Sequence, residues 1–514
     1  MSESTIVGLL RRNARQWGAL AALISDIDRI TWAELDARSA ERAAALVARG
    51  VRRRTRVALL MPNGIDWAVA AFALMRIGAV LVPLSTLLKA PEVEQQLRLA
   101  AVERLILVEE IRGRDLRDEL ATLLPAGDER RPVLPSLRSA WSWDEVAAWP
   151  ADAAAAGVAA ALEERARPAD ELCVMFTSGS RGTPKGVIHT HGNAIRAVGA
   201  SLEARCVRPG ERLYIPMPFF WMGGFGSGLL SVLVAGASLL TESQPTPAST
   251  LALLERERAT LFRGWPDQAA ALARDPQAAR ADLSSLRPGS LEAVLPAALR
   301  SRPGARANLF GMTETFGPYA GYPLDTDMPE TAWGSCGRPF TGVEVRITST
   351  EDGAPLPVGE VGEVEVRGPN MMRGIRGRSR EEVFTRDGWY RTGDLGHLDA
   401  DGFLFSNGRT DDMLKVRGAT VYPSEVESAL ATVPHVARVF VTDVDTTSGK
   451  QVGAAVVPDA AGVLTADGVV AAAKERLSSF KVPMLVRVLE PGEDVPRTAT
   501  GKVDKPALQR LLTD

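Results

Sequence analysis

Apolar positions in the first two thirds of the chain fall into short continuous runs, separated by stretches where they recur every three or four residues. Residues 56–62 (RVALLMP), 79–85 (AVLVPLS) and 104–110 (RLILVEE) have the length and make-up of buried strands. Between them, residues 64–78 (GIDWAVAAFALMRIG) and a segment from about Pro91 carry a helical period. Strand, helix, strand is the rhythm of a parallel sheet covered by helices. Residues 151–168, rich in alanine, precede the apolar run ELCVMF and read as a surface helix or connector. From Glu360 the pattern shortens to alternating segments such as GEVEVRG, which predict a small antiparallel β subdomain. The last hundred residues change again. Strand-like VARVFVTDV, QVGAAVV and MLVRVLE interleave with helix-like PSEVESALAT and TADGVVAAAKERL, predicting a small α+β domain. Ser424 and Glu427 have the spacing of a capping box opening the first of those helices.

Composition narrows the function classes. The 514 residues carry 60 Lys+Arg against 63 Asp+Glu, a net charge of −3, which gives no electrostatic case for nucleic acid. With 46% hydrophobic and 24% charged residues, the chain has the means to bury large cores. Three scattered cysteines, Cys173, Cys206 and Cys336, make neither a disulfide framework nor a cysteine-based zinc site and fit a reduced, cytoplasmic setting. The N-terminal segment lacks the pattern of a secretory signal, and no apolar run reaches the roughly 18 residues of a membrane span.

The densest chemistry lies in Phe176-Thr-Ser-Gly-Ser-Arg-Gly-Thr-Pro-Lys-Gly186, directly after an apolar strand. Alternating hydroxyls and glycines let backbone N–H groups approach an anion, and Lys185 adds charge, so the segment reads as a phosphate loop. It is not a Walker A loop, because Pro184 and Gly186 flank the lysine where that pattern needs Gly and Ser/Thr. Four further motifs follow: Phe310-Gly-Met-Thr-Glu314, Trp389-Tyr-Arg-Thr-Gly-Asp394, Gly408-Arg-Thr-Asp-Asp412 with Lys415-Val-Arg-Gly418, and Pro496-Arg-Thr-Ala-Thr-Gly-Lys502. Together they resemble, in order and over nearly the whole chain, the adenylate-forming superfamily of acyl-CoA synthetases, luciferases and peptide-synthetase adenylation domains. Within the loop the one departure is Arg181.

The resemblance implies an α/β fold. Its large N-terminal domain of doubly wound αβ subdomains, with a small antiparallel β subdomain, would span 1–410 and carry the ATP and acyl sites. A mobile α+β domain would span 411–514. It implies ATP, Mg2+ and CoA as cofactors. Thr177, Ser178, Gly179, Ser180, Gly182, Thr183 and Lys185 would hold the phosphates, and Phe310 and Gly311 would lie beside the nucleotide. Thr313 would bond the α-phosphate and Glu314 would ligate Mg2+, a role suited to a hard oxygen donor. Asp394 would accept bonds from both ribose hydroxyls, reinforced by Arg409. Lys502 would bridge the attacking carboxylate and the phosphate as a point charge on a flexible stem. Only eight lysines occur, at 89, 185, 415, 450, 474, 481, 502 and 505, and two of them fall on the family's lysine positions. Asp411 would be the hinge, and Gly418 would leave room for the pantetheine of CoA.

Where relatives usually carry a histidine near the carboxylate, this chain has Trp221, preceded by Phe219 and Phe220 and followed by Gly224. No carboxylate stands there to pair with an α-ammonium, and burying one unpaired among aromatics is costly. The pocket therefore favours an apolar fatty or aryl acid. Gly289 and Ser290 stand where an adenine-side Gly-Gly-Ala-Pro-like segment is usual, and Ile375 where an aromatic is usual. The expected partners are a small-molecule carboxylic acid and CoA, with an acyl carrier protein as the alternative acceptor and room for a homodimer. A catalytically silent acyl- or nucleotide-binding homologue is the alternative from another class. Intact Lys502, Glu314 and Asp394 speak against it.

Overall fold

The computed structural model describes residues 4–124, 134–177, 184–410, 414–416, 419–421, 423–446, 449–459, 464–477, 481–490, 492–498 and 503–513. The chain divides into two compact units. The first comprises Met1–Glu344, Arg367–Tyr390 and Gly402–Leu404; the second comprises Val345–Val366, Arg391–Asp401 and Phe405–Asp514.

Two sheets organise the first unit. The larger has seven strands in the order Gly374–Ile375, Lys185–Thr190, Glu171–Thr177, Val80–Pro83, Arg56–Leu60, Arg104–Leu107 and Ser139–Ser142. Its pairs are parallel from Glu171–Thr177 to Ser139–Ser142, as the strand–helix–strand pattern predicts, while Lys185–Thr190 and Gly374–Ile375 add antiparallel pairings. The second sheet orders Leu261–Phe262, Arg212–Tyr214, Ser238–Leu240, Ala21–Ile24 and Arg29–Thr31, parallel except at its last pair. Helix Ile65–Ile77 is buried at every residue but Asp66 and shares one apolar core with residues of both sheets, such as Leu59 and Leu239. An all-round apolar helix is the expected occupant of such a position.

The alanine-rich segment is the surface helix Ala153–Glu164, with most residues exposed and one face turned inward. Its small side chains let it lie against Trp32–Ala48 and Ile65–Ile77, burying Ala155, Ala159 and Glu163. The Glu163 carboxylate bonds Arg76 at 2.7 Å, with both side chains 3% exposed or less, and Arg11 at 2.6 Å. Removing one partner of such a pair strands a buried charge at a cost of about 3–5 kcal/mol.

In the second unit, the change of pattern near Glu360 corresponds to a four-stranded sheet of Glu344–Thr348, Gly362–Arg367, Tyr390–Leu398 and Leu404–Arg409, whose outermost residues belong to the first unit. The C-terminal part pairs Val436–Thr446 antiparallel with Gly449–Pro458, and Leu485–Val488 parallel with the latter. Period-two alternation sends Val452, Ala454 and Val456 into one core with Val426, Leu430 and Val469, and sends Ala455 into another with Leu508 and Leu512. The helix holding Ser424 starts at Pro423, so Ser424 sits inside the first turn rather than before it. Its hydroxyl donates to the Asn407 carbonyl at 2.7 Å, and Glu427 accepts from the Val441 N–H at 2.8 Å, so the pair is not a capping box. Proline, with its fixed φ, has taken the opening position.

Cys173, Cys206 and Cys336 are all buried and none is in a disulfide, and burial pushes the Cys173 thiol pKa up. Among the described residues no helix is long and apolar enough to cross a membrane.

Candidate functional site

The arms of the phosphate loop are set by strand pairing. Thr177 closes one strand, Lys185 opens the next, and the two are direct partners in antiparallel register. Leu172, Cys173, Val174 and Met175 are fully buried, which fixes where the loop leaves the sheet. The Lys185 ammonium has no hydrogen bond or ion pair among the described residues. Ser178, Gly179, Ser180, Gly182 and Thr183 lie outside the described residues.

Residues 310–321 form a tight antiparallel pair, Phe310–Met312 with Gly317–Gly321, joined by the single turn Thr313–Thr315. Thr315 ties the turn, its hydroxyl donating to the Gly317 carbonyl at 2.6 Å. At Gly311 a Cβ would stand 2.3 Å from that same carbonyl, so the motif glycine is required by close approach of the two strands. The turn presents Thr313, whose hydroxyl has no partner among the described residues, and Glu314, which is only 6% exposed. Phe310 lies edge-on to Tyr319 with ring centroids 5.6 Å apart.

Two groups given no role by the sequence motifs hold this turn. Tyr390 donates its hydroxyl to Glu314 Oε1 at 3.1 Å. His189, fully buried, donates from Nε2 to the Thr313 carbonyl at 2.8 Å, and its Nδ1 accepts from Asn193 Nδ2 at 2.9 Å. The carbonyl can only accept, so the proton sits on Nε2. Burial drives the His189 pKa down to about 3, against weaker upward pulls from Thr313 and Asn193, so the ring stays neutral. No sequence spacing marks these contacts, since they join residues 124 and 76 positions apart. Among the described residues Glu314 keeps one carboxylate oxygen without a hydrogen-bond partner and accepts the tyrosine hydroxyl on the other. Mg2+ is commonly held by one or two carboxylates plus substrate phosphates, so this donor fits it.

Of the aromatic segment, Phe219 is fully buried, packs 5.2 Å from Trp67, and donates its N–H to Asn63 Oδ1 at 2.7 Å. Phe220 is buried and Trp221 half-buried, the two rings meeting edge-on at 5.3 Å. A Cβ at Gly224 would sit 2.2 Å from the Pro218 carbonyl, so the chain can turn here only as glycine. A π-helical stretch, Phe225–Leu230, follows at once. Such irregular turns recur at functional sites.

The second unit supplies Asp394 and Arg409. Asp394 lies in Tyr390–Leu398, and Arg409 ends Leu404–Arg409. Arg409 Nη1 meets Asp394 Oδ1 at 2.8 Å, with the arginine 43% exposed and the aspartate 14%. Neighbouring bonds brace the aspartate. Its N–H donates to Thr392 Oγ1 at 3.0 Å, the Gly393 N–H donates to Glu363 Oε1 at 3.2 Å, and Thr410 donates to the Gly393 carbonyl at 3.0 Å. Burial raises the pKa of Glu363. Asp411, Gly418 and Lys502 lie outside the described residues.

Comparison with known proteins gives the family of the chain. The model of the AMP-binding enzyme family matches residues 10–376, and that of the AMP-binding enzyme C-terminal domain matches residues 425–502. The chain is 35% identical to a feruloyl-CoA synthase of Amycolatopsis sp, with 94% of each chain covered. It is 33% identical to a 7a-methyl-1,5-dioxo-octahydro-inden-4-yl propanoyl:CoA ligase of Rhodococcus jostii (strain RHA1), with 98% of each covered. The crystal structure of the anthranilate CoA ligase AuaEII in complex with anthranoyl-AMP superposes with a TM-score of 0.82 at 25% identity, covering 99% of this chain and 97% of that one.

Proposed function

Since this chain belongs to the AMP-binding enzyme family, in the adenylate-forming superfamily, we propose that it activates a ring-bearing apolar carboxylic acid and passes the acyl group to CoA. It is an AMP-forming acid–thiol ligase that uses ATP, Mg2+ and CoA. The carboxylate displaces pyrophosphate from ATP to give an acyl-adenylate, and the thiol of CoA then attacks to release acyl-CoA and AMP. No protein nucleophile is needed.

The Thr313–Glu314 turn carries the residue-level reading. An unpartnered hydroxyl beside a buried, braced carboxylate is the arrangement needed where two anions must be brought together. Thr313 bonds the α-phosphate, Glu314 would hold Mg2+, and Thr177, Lys185 and the loop between them bind the outer phosphates. The metal would supply charge neutralisation at the reacting phosphate. Phe310 and Gly311 flank the nucleotide. Asp394 takes the ribose hydroxyls while Arg409 orients it. Lys502 approaches the reacting carboxylate from the segment 411–514, which turns about Asp411 so that Gly418 admits the pantetheine.

The substrate class is supported by Phe220 and Trp221, which offer aromatic surface and no countercharge for an ammonium. It is also supported by relatives named for feruloyl and bicyclic propanoyl groups. CoA is the acceptor, and the setting is cytoplasmic. A panel of arylpropenoic, arylacetic, fatty and α-amino acids tests this, with pyrophosphate release and CoA-dependent AMP formation as readouts. The ring-bearing acids should lead and the amino acids give nothing; preference for an amino acid would sink the pocket argument. Within that assay, Lys502→Ala should lower adenylation by about 10²–10⁴-fold while CoA attack on supplied acyl-adenylate stays near native. Equal loss in both halves would remove Lys502 from the first step.

A further inference from the structure

Beside the large sheet lies a cleft of about 450 Å3 lined by Arg53, Arg54, Arg56, Arg373 and Arg376. It opens where strands Arg56–Leu60, Val80–Pro83 and Glu171–Thr177 begin, whereas the phosphate loop leaves where Glu171–Thr177 ends. Its Arg376 wall reaches back along the sheet, because the Arg376 N–H donates to the carbonyl of Gly186, the last residue of the phosphate-loop segment, at 2.8 Å. All the lining belongs to the first unit.

The charge here is unbalanced. Asp170 bonds Arg53, Glu103 lies 3.7 Å from Arg56, and Glu171 lies 3.5 Å from Arg373. The guanidinium groups of Arg54 and Arg376 have no hydrogen bond or ion pair among the described residues. The Nε atoms of Arg53 and Arg376 are buried and have no acceptor. A buried donor left unpaired costs about 1–3 kcal/mol, more when charged, so the cleft lacks a partner. Arg54 is moreover held at φ 69°, a left-handed conformation that an arginine adopts at some cost and that directs it to this turn.

We propose that this cleft binds a compact polyvalent phosphoryl anion of the pyrophosphate class, at a site separate from the catalytic loop. Two uncompensated guanidinium charges call for a dianion or higher, and several planar forks converging on one cavity match the many oxygens of a phosphoryl group. A single carboxylate would leave one charge and most donors unmet. Pyrophosphate is also what the first half-reaction releases, so the anion is present wherever the enzyme turns over.

The test is equilibrium dialysis of the full chain against radiolabelled inorganic pyrophosphate. The wild type should bind one equivalent more than the Arg54→Gln/Arg376→Gln variant, or the affinity for that equivalent should fall at least about tenfold. In Arg54→Gln, adenylation measured without added pyrophosphate should stay within about twofold, since Arg54 is an exposed residue just before Arg56–Leu60, away from the loop. Arg54→Gln alone, at an exposed residue, should show a smaller loss of the same binding and guards against a folding defect in the double variant. Identical isotherms for wild type and variants would overturn the proposal. So would a fall in adenylation matching the loss of binding, which would place the anion at the catalytic site. Citrate displacing pyrophosphate at equal concentration would overturn the phosphoryl assignment.

Discussion

The turn at Thr313–Glu314 and the pair Asp394–Arg409 are both short polar stations on β structure, but they are built in opposite ways. Glu314 is buried, its turn braced by a tyrosine hydroxyl and a neutral histidine. Asp394 meets an arginine that is nearly half exposed. An exposed ion pair is worth about 0–1 kcal/mol, whereas a hydrogen bond to a charged group in a dry site is worth about 1.5–3 kcal/mol. The difference follows the chemistry each would serve. Charge changes at the phosphate during reaction, so donors there gain from low dielectric and a fixed position, while a ribose diol is the same before and after.

The sharpest way to break this contrast is at the buried station. Glu314→Gln should lower the adenylation rate by about 10²–10³-fold with a small change in KM for ATP. If KM rises and the rate holds, Glu314 merely binds and the two stations do not differ in kind.

Burial of the bracing histidine gives the next effect. His189 and His191 have pKa values lowered by burial from 6.5 to about 3 and about 4. Both are neutral when folded and gain a proton on unfolding below the unfolded value, so stability is complete above pH 6.5 and falls as pH drops toward the folded values. Each should contribute a slope of about 1.4 kcal/mol per pH unit in this window. His189→Gln, which keeps a donor for Thr313, should lower the slope of unfolding free energy measured by urea titration by about 1.4 kcal/mol per pH unit. An unchanged slope would mean the ring is not dry.

At the exposed station, Asp394→Asn should raise KM for ATP by about tenfold and leave the rate within about threefold. A rate loss as large as that of Glu314→Gln would erase the contrast. Smallest is Tyr390→Phe, which removes one bond to the carboxylate; most of its about 1.5–3 kcal/mol is shared by ground and transition states, leaving roughly a fivefold loss in adenylation rate. Because Tyr390 acts through Glu314, its effect should vanish in the Glu314→Gln background; additive losses would show that it acts elsewhere.

The parts of the molecule legible in the sequence are those whose cause is local. The strands Arg56–Leu60 and Val80–Pro83 and the helix Ile65–Ile77 declare themselves by period, because burial on two faces or all round writes apolar residues into consecutive positions. Thr313, Glu314 and Asp394 were legible as parts of contiguous motifs. The roles of His189 and Tyr390 were not, even though Tyr390 stands in the same motif as Asp394, because only folding sets each beside a turn far along the chain. Glu163 was hidden for the same reason. In an alanine-rich stretch a glutamate reads as solvated, and only the arrival of Arg76, 87 residues away, turns it inward. Ser424 shows the opposite error, since the capping spacing is present but Pro423 starts the helix one residue early.

The burial of all three cysteines makes the enzyme convenient for spectroscopy. A maleimide dye offered to the folded native chain should find no accessible thiolate, because the sulfurs are out of reach and burial favours the neutral thiol, as at Cys173. One cysteine introduced on an exposed residue of each unit can therefore be labelled without first stripping the native ones. Energy transfer between two such dyes would follow any swing about residue 411 during turnover, one molecule at a time.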